Sequence, residues 1–495
     1  MLRPNQPDLF WKLGQDGFSH FTKVINFEFR MYKKLILSIF LTIVLIASLA
    51  PTNPVQAQAT GPTYIVQPGD TLNSIAGRFG VSLDDLINAN NIADPNNIST
   101  GQPLIIPGLV GVTGTLTTRV IPLGENLQTL TREYKIKPST FIRLNRITSP
   151  SELYAGASLI IPVENDTPPA VQFSNLAKSQ TLLEFAATMN ANPWELLLSN
   201  QLSSSSEISD SDHILLPENS NATGSSLVSP YIKTITVSPL PLIQGATIEL
   251  KLSTTSPMQI SGSLNGIDLN FFLQPDGSYI SLQGIHAMTP IGLSQFELSG
   301  DDQNGHQFSF NQMLLLGSGN FSKESLEVDP ATIDPANTKP EDDLINSIVT
   351  KITNVQLWQG QWQYPTAEPS CIKSYYGTRR SYNGGDYTFF HTGLDFGVCV
   401  VQSLNIYAAA PGKVVYTGPL LIRGNATIID HGMGVFSAYY HQSEINIKVG
   451  DMVTQGQLIG LIGDTGRVTG PHLHFEVWVN GIQVQPLDWL ENMYP

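Results

Sequence analysis

The stretch Pro471-His472-Leu473-His474-Phe475-Glu476-Val477, near the C-terminus, has the alternation of an extended strand. Successive side chains of a strand point to opposite faces. His472 and His474 therefore share one face, while Leu473, Phe475 and Val477 share the other. The apolar face suits a packed sheet, and the two imidazoles could act at one point. Two surface histidines would give the same pattern, so the interpretation depends on partners elsewhere in the chain.

Such partners lie upstream of this strand. His391 and Asp395 are four residues apart, and His441 follows a Tyr-Tyr pair. A catalytic zinc site takes three protein ligands from His, Asp or Glu and keeps one position open. His391, Asp395 and His474 would supply that set. His441 and His472 would then remain for proton transfer.

The segment from about Trp358 to Pro495 resembles the lysostaphin-type M23 metallopeptidases over nearly its whole length. The resemblance rests on an ordered set of motifs: Tyr376-Gly377-Thr378-Arg379-Arg380, His391-x-x-x-Asp395, residues 408–415 (AAAPGKVV), Asp430-His431-Gly432, residues 450–460 and residues 469–476 (TGPHLHFE).

This resemblance implies an antiparallel β fold with one zinc ion per chain. His391, Asp395 and His474 would be the zinc ligands, and His441 and His472 the pair beside the catalytic water. We expect His431 to be structural or at the surface. Tyr382 and the following Asn383-Gly384 precede the metal motif in a predicted loop that could shape the substrate groove.

The first half of the chain contains a repeat with a period of 55 residues. Leucines, asparagines and prolines recur in register through three copies, which predicts three units of strand, helix, helix and strand. The recurring positions are Leu72, Leu127 and Leu182; Asn90, Asn145 and Asn200; and Pro107, Pro162 and Pro217. We place the units at residues 63–107, 118–162 and 173–217, with linkers such as Gly108–Thr117 and Glu164–Val171 between them.

The first copy resembles LysM domains, the βααβ modules that hold N-acetylglucosamine-containing glycans. Val66, Gly69-Asp70-Thr71-Leu72, Ile75-Ala76, Asn90 and residues 101–107 carry the resemblance. It implies that Gly69, Asp70, Thr71 and Leu72, with Asn97 and Ile98 on the facing loop, form a sugar groove. The second copy has Glu125-Asn126 in place of Asp-Thr, and the third loses the glycine turn.

The middle of the chain shows the two-residue periodicity of strands. Residues 229–318 predict a β-sandwich-like domain, in which His286 and His306 lack ligand partners and are read as surface residues. Residues 325–341 are rich in Pro, Asp and Thr. We therefore predict a linker at residues 319–355, with one short amphipathic helix after Pro340.

The N-terminus, residues 1–59, resembles an extension followed by an export signal. Residues 35–50 are apolar, basic residues precede them, and a small-residue cleavage pattern follows. We favour a cleaved signal over a retained anchor, with Met31 as the true start. Export would permit a disulfide between the only two cysteines, Cys371 and Cys399.

The whole chain is thus expected to be multidomain and β-rich. It would have three LysM-like βααβ repeats, a β-sandwich-like domain and, at residues 356–495, an antiparallel lysostaphin-type peptidase domain. A net charge of −15 argues against nucleic-acid binding. Membrane contact would come only through an uncleaved signal.

The expected function is that of a secreted, cell-envelope zinc endopeptidase that cuts peptide cross-links of peptidoglycan, delivered by glycan-binding repeats. The alternative is a non-catalytic wall-binding or regulatory protein with an M23-like fold. A lipoyl-type domain, suggested by residues 449–457, is set aside because its acceptor lysine is missing.

Overall fold

The computed structural model describes residues 61–109, 111–149, 152–163, 172–176, 179–208, 212–217, 226–302 and 304–495. The predicted N-terminal extension, Met31 and the export signal lie outside these ranges. No helix within the ranges has the length and apolar character needed to cross a bilayer.

Each repeat folds as a strand, two short helices and a closing strand. The elements are β1 (Thr63–Ile65), α1 (Leu72–Phe79), α2 (Leu83–Asn90) and β2 (Pro103–Ile105); β3 (Thr115–Val120), α3 (Leu127–Glu133), α4 (Pro138–Asn145) and β4 (Ser158–Val163); and β5 (Gln172–Asn175), α5 (Leu182–Thr188), α6 (Pro193–Ser199) and β6 (His213–Leu216).

The recurring asparagine makes the same pair of backbone hydrogen bonds in every unit. Asn90 donates its amide to the carbonyl of Ile105 at 2.8 Å and accepts the Ile105 N–H at 2.6 Å. Asn145 and Asn200 make the same pair of bonds with the backbones of Ile160 and Leu215. The side chain thus continues the β-ladder and ties the second helix to the closing strand.

The first two repeats are not separated by a free linker. Residues 115–117, predicted as linker, belong to β3, which pairs in parallel with β1. The two repeats consequently share a four-stranded sheet in the order β2-β1-β3-β4. Leu116, Leu144 and Ile160 of the second repeat complete the core of the first, and this burial explains the continuous sheet.

The middle of the chain forms two sheets around a common core. One sheet has the order β11-β10-β14-β15-β8 and the other β12-β13-β9-β7. The strands are β7 (Ile232–Ser238), β8 (Leu242–Ile243), β9 (Thr247–Thr254), β10 (Gln259–Leu264), β11 (Ile267–Asp268), β12 (Phe272–Leu273), β13 (Tyr279–Gly284), β14 (Gly292–Asp301) and β15 (Gln307–Gly317).

The segment predicted as a linker contains regular structure that packs on the C-terminal domain. β16 (Lys323–Leu326) pairs in parallel with β18 (Arg379–Tyr382), and helix α7 spans Pro335–Val349. The helix begins five residues before Pro340, earlier than predicted, with Pro335 in its first turn and Asp334 as its N-cap. Ile345, Ile348 and Val349 pack against the C-terminal sheet, which keeps this segment in place.

The C-terminal domain is built on a ten-stranded sheet with the central order β17-β20-β27-β24-β23-β22-β25. Its elements are β17 (Ile372–Ser374), β18 (Arg379–Tyr382), β19 (Phe389–Phe390), β20 (Leu394–Phe396), β21 (Asn405–Tyr407), β22 (Gly412–Leu420), β23 (Gly424–Gly432), β24 (Val435–Ile445), β25 (Met452–Val453), β26 (Leu458–Ile462), β27 (Leu473–Val479), β28 (Ile482–Val484) and α8 (Pro486–Glu491). Cys371 and Cys399 are joined by a disulfide.

The β-sandwich is docked on this domain through apolar and polar contacts. Gln485 donates its N–H to the Gly245 carbonyl at 2.7 Å, and the Trp489 indole donates to Thr247 Oγ1 at 2.9 Å. Ile280 and Leu282 of β13 belong to the core of the C-terminal domain. Sandwich and C-terminal domain therefore share buried surface.

Candidate metal centre and its groove

Two of the predicted ligands come from neighbouring strands of the sheet. Asp395 of β20 is the direct cross-strand partner of His474 of β27. Their Oδ1 and Nδ1 atoms lie 2.8 Å apart. On the other side of His474 its register partner is Tyr440 of β24, whose ring stacks on the imidazole with centroids 5.8 Å apart.

The third predicted ligand reaches the same point from the turn that precedes β20. His391 Nε2 lies 3.0 Å from both Asp395 Oδ1 and His474 Nδ1. The turn must run close to β27, and Gly393 allows it: a Cβ there would overlap the Phe475 carbonyl and lie 2.9 Å from His474 Nε2. The glycine is thus a steric requirement for the approach of His391 and Asp395 to His474.

In His391 and His474, one ring nitrogen points towards Asp395 and the other points away. The hydrogen bond of the nitrogen that points away determines whether the nitrogen near Asp395 has a free lone pair. His391 Nδ1 is 3.0 Å from the carbonyl of Tyr375, which can only accept, so Nδ1 carries the hydrogen and Nε2 does not. His474 Nε2 is 3.1 Å from Glu476 Oε1, so its hydrogen points to that carboxylate and Nδ1 is free. Both inward atoms are acceptors.

Glu476 is a functional candidate that the sequence analysis did not assign. Its side chain is fully buried and receives the Trp478 indole N–H at 2.8 Å in addition to His474. Burial alone would raise the pKa of Glu476, but the bond to His474, the charges of His474 and Arg423 and the bond to Thr392 together lower the pKa to about 2. A charged residue two positions beyond His474, on the same strand face, was the available signal.

The three inward atoms fit a zinc ion. The three inward atoms lie within 3.0 Å of one another, so their lone pairs repel unless a proton on His474 or a cation between them offsets the repulsion. His391, Asp395 and His474 form a group of described residues that lies close enough to share one cation. Ligands of tetrahedral zinc are about 3.3 Å apart, so little adjustment is needed. Two imidazoles and a carboxylate, with one position left, are a catalytic set rather than a structural one.

The protonation preferences around the site agree with that fit. Burial lowers the pKa of His391. Burial would raise the pKa of Asp395, but its contacts with His391 and His474 hold that pKa well below its usual range. Burial would lower the pKa of His474, yet the bonds to Asp395 and Glu476 raise it to about 9. A cation between the three side chains would replace the proton on His474.

A second cluster of potential ligands has another explanation. Glu368, Cys371 and Cys399 lie close together. The two sulfurs form the disulfide and are not thiolates, and Glu368 accepts the backbone N–H groups of Cys399 and Val400. This cluster fixes a loop.

His441 owes its direction to a bulge in β24. The pairing between β23 and β24 passes from Thr427↔Tyr439 to Asn425↔Gln442, so β24 has one extra residue there. His441 adopts φ +63°, a left-handed value that is uncommon outside glycine. Bulges next to active sites re-aim side chains, and this one turns His441 towards His472, with ring centroids 4.9 Å apart.

Both of these histidines present Nε2 as a base. His441 Nδ1 is 2.8 Å from the Thr465 carbonyl, and His472 Nδ1 is 2.9 Å from the Gly470 carbonyl. Each Nδ1 must therefore carry the hydrogen. Burial, with repulsion from His474 and His472, lowers the pKa of His441 to about 3. His472 Nε2 lies 3.6 Å from Asp395 Oδ1, at the edge of the centre.

Two further histidines differ from expectation in their surroundings. His431 is wholly buried, between the Pro411 carbonyl and the Ser437 hydroxyl at 2.7 Å each, so it is structural and the surface alternative was wrong. His286 is half-buried against Phe390 and lines the same groove as the metal centre. Its assignment as a plain surface residue was wrong because the sandwich packs against this groove.

The metal centre opens into a groove of about 1130 Å³. The C-terminal domain contributes Tyr382, which lies at the end of strand β18 rather than in a loop, while Asn383 and Gly384 of the predicted loop are not among the lining residues. The segment predicted as a linker, residues 319–355, also lines the groove and contributes Glu327, Asp329 and Asn346. The linker prediction therefore missed lining residues of the groove.

In the first repeat, the predicted sugar loop has exposed and internal members. Gly69, Thr71 and Asn97 are exposed, and Ile98 is half-buried. Leu72 is in the core, and the Asp70 carboxylate accepts the Tyr64 hydroxyl at 2.7 Å and the Gln67 N–H at 2.8 Å. Asp70 and Leu72 thus shape the loop rather than present atoms to a ligand.

In the second repeat, the corresponding loops are covered by the β-sandwich. Gly124 donates its N–H to Gln312 Oε1 at 2.8 Å, and Leu123 lies in the sandwich core. On the facing loop, Ala155 exchanges backbone hydrogen bonds with Met313 and Leu315 at 3.0 and 2.8 Å. The second repeat therefore contacts the sandwich through the two loops that correspond to the predicted sugar loops of the first repeat.

Comparison with known families agrees with both resemblances. Residues 389–486 match the sequence model of peptidase family M23, and residues 64–107 and 121–162 match that of the LysM domain. The resemblance to M23 peptidases with N-terminal LysM repeats is therefore confirmed.

The similar proteins match a limited part of the chain. Peptidoglycan DD-endopeptidase ShyA of Vibrio cholerae is 38% identical over 125 residues, 25% of this chain and 29% of that protein. DD-carboxypeptidase/endopeptidase Mpg of Neisseria meningitidis is 40% identical over 97 residues, 20% and 22% respectively. The chain thus matches less than a third of either relative.

Among solved structures, a putative peptidase M23 from Pseudomonas aeruginosa is similar at 23% identity and a TM-score of 0.38, covering 51% of this chain and 96% of that one.

Proposed function

We propose that the C-terminal domain, residues 356–495, is a zinc endopeptidase that hydrolyses peptide cross-links of peptidoglycan. The observation that carries the proposal is the convergence of His391 Nε2, Asp395 Oδ1 and His474 Nδ1 within 3.0 Å of one another. His391 Nδ1 and His474 Nε2 each donate a hydrogen bond to an acceptor. The lone pairs of the other two ring nitrogens and of Asp395 Oδ1 can therefore point to one position.

His441 and His472 would carry the protons of the reaction. A zinc ion, when bound, supplies Lewis-acid chemistry that lowers the pKa of water and polarises a carbonyl group. A neutral imidazole beside it can take a proton at Nε2 and pass it to a leaving amine. Both rings are held with Nε2 free, so we assign the base and acid roles to the pair jointly.

The substrate class is supported by two independent parts of the chain. The relatives of the C-terminal domain are named as peptidoglycan endopeptidases, and LysM modules bind N-acetylglucosamine-containing glycans. One part would act on the peptides of a polymer whose sugar strand the other holds. That polymer lies outside the cytoplasm, so we propose export through residues 35–50 and a place in the cell envelope.

Within the repeats, we assign sugar binding to the first one. Its loop has Gly69, Thr71 and Asn97 exposed. The matching loops of the second repeat are engaged with Gln312, Met313 and Leu315 of the β-sandwich. The second repeat would therefore serve as a structural module.

Digestion of purified peptidoglycan tests the proposal. The zinc-loaded full chain is incubated with the polymer beside an Asp395→Ala variant, a chelated sample and Glu444→Ala, which removes an exposed carboxylate elsewhere in the sheet. Mass analysis should show new amine ends with the wild type and Glu444→Ala only. Binding to the polymer without cleavage would favour the non-catalytic wall-binding alternative.

A further inference from the structure

Arg467 is held beside the proposed catalytic pair by its backbone. Its N–H donates to the Ile422 carbonyl at 2.8 Å. Two residues earlier, the Thr465 carbonyl receives the Nδ1 hydrogen of His441 at 2.8 Å. Arg467 therefore lines the same groove as His441 and His472, from a backbone position two residues after the carbonyl that orients His441.

Unlike the other arginines of the groove, Arg467 has no carboxylate partner in the part of the chain that the structure describes. Arg380 is paired with Glu324 at 2.5 Å, and Arg423 with Glu341 at 2.7 Å. The Arg467 guanidinium donates instead to the Thr332 carbonyl at 2.8 Å and lies 5.4 Å from the Tyr382 ring centroid.

A half-buried cation without a counter-ion is unfavourable, and here the surroundings add to the cost. Burial lowers the pKa of Arg467; Tyr382 and, more weakly, Glu341 raise it, and the positive charges of Arg380 and Arg423 lower it. A guanidinium keeps its charge under these conditions. It has five N–H donors, and the Thr332 carbonyl uses one. A negatively charged ligand beside Arg467 would accept hydrogen bonds from the remaining N–H donors of its guanidinium.

We propose that Arg467 is a specificity-determining residue that binds a free carboxylate of the peptide substrate beside the bond that is cut. The planar fork of a guanidinium matches a carboxylate with two parallel hydrogen bonds. The inference rests on the proposed peptidoglycan peptidase function. It adds that the preferred cross-link carries an ionised carboxylate next to the scissile bond.

The test uses two cross-linked peptide dimers that differ only in one group: the carboxylate adjacent to the cross-link is free in one and amidated in the other. The zinc-loaded full chain should cut the free form with a kcat/KM about 10- to 100-fold higher, mostly through KM, as expected for a hydrogen bond to a charged group. Arg467→Gln should lose this preference: its kcat/KM for the free dimer should fall to its own kcat/KM for the amidated dimer.

Controls separate specificity from folding. Lys413→Gln, which removes an exposed cation outside the groove, should keep the preference, and Arg467→Lys should restore part of it because the charge returns without the fork. A wild type without preference, or an Arg467→Gln that loses both dimers equally, would overturn the subsite. If the wild type cuts neither dimer, the proposed peptidase function fails together with the inference.

Discussion

Asp395 and His474 are direct cross-strand partners, and their inward atoms lie 2.8 Å apart. The candidate metal centre is therefore a property of strand register. A shift of one residue between β20 and β27 would put the two side chains on opposite faces of the sheet. The same register places His472 one residue before β27, close to the centre but not in it.

Substitution of His474 and substitution of His472 should have different effects on zinc binding and on turnover. We expect His474→Ala to lose zinc, because it removes one of the three proposed ligands. His472→Ala should keep one zinc per chain but lower kcat by about 10²- to 10⁴-fold, as for loss of a proton-transfer group. Zinc content after dialysis, measured beside turnover, checks both. Zinc loss in His472→Ala would reverse the assignment.

Glu476 should tune metal affinity without touching the metal. Glu476→Gln removes the charge that holds the His474 Nε2 hydrogen. We expect zinc affinity to fall by about 10- to 100-fold, the usual effect of losing such a partner. Competition with a chromophoric chelator measures it, and Glu444→Gln is the matched control. An unchanged affinity would show that Glu476 serves only the core.

Gly393→Ala should damage the centre through sterics alone. The new Cβ would overlap the Phe475 carbonyl, so the turn that carries His391 must move away from β27. We expect a loss of about 1–3 kcal/mol in the free energy of unfolding and reduced zinc occupancy.

Gly77→Ala in helix α1 is the control for this substitution, since no atom lies within 4 Å of its Cβ position and alanine favours helix. It should be neutral or stabilising in denaturant titration. Full zinc occupancy in Gly393→Ala would contradict the role of the close approach.

His431 should make stability depend on pH between about 6.5 and 4. Burial lowers the pKa of His431 to about 4, below its ordinary value of 6.5. The unfolded chain binds the proton first as the pH falls, so stability is complete above pH 6.5 and decreases towards pH 4. The pKa difference of His431 between the unfolded and the folded chain corresponds to about 3 kcal/mol in the free energy of unfolding.

Denaturant unfolding at several pH values, compared with His431→Gln, isolates this contribution from other titrating groups. The variant should be less stable at pH 7 because it loses the fitted bonds to Pro411 and Ser437. It should also show a shallower decrease below pH 6.5. Parallel pH profiles for the two proteins would exclude His431 as the cause.

The sequence predicts those parts of the site that local pattern determines. Alternation around His474 indicates the strand and its faces, and the recurring Asn90, Asn145 and Asn200 indicate the repeats because each makes the same backbone bonds. The grouping of His391 with Asp395 follows from motif resemblance. Its geometry depends on strand register, which single-strand periodicity does not contain.

The features that sequence reasoning missed depend on which neighbour covers a surface. The bulge at His441 adds one residue to a strand without changing its composition. The composition of residues 325–341 predicts a linker over residues 319–355, yet Ile345 and Val349 find an apolar partner in the C-terminal sheet. Leu123 and Gly124 read as an ordinary repeat loop, and only the docked sandwich shows their use.

The covered loops of the second repeat have a consequence for how the enzyme would work on an insoluble polymer. The first repeat shares a sheet with the second repeat. The second repeat shares an apolar core with the sandwich, and the sandwich shares another apolar core with the C-terminal domain. Under the proposed function, the sugar-binding loop and the metal centre are separated by a constant distance. Each binding event would then bring only cross-links at one spacing from the captured sugar to the zinc site, and cleavage along a glycan strand would follow that spacing rather than the reach of a tether.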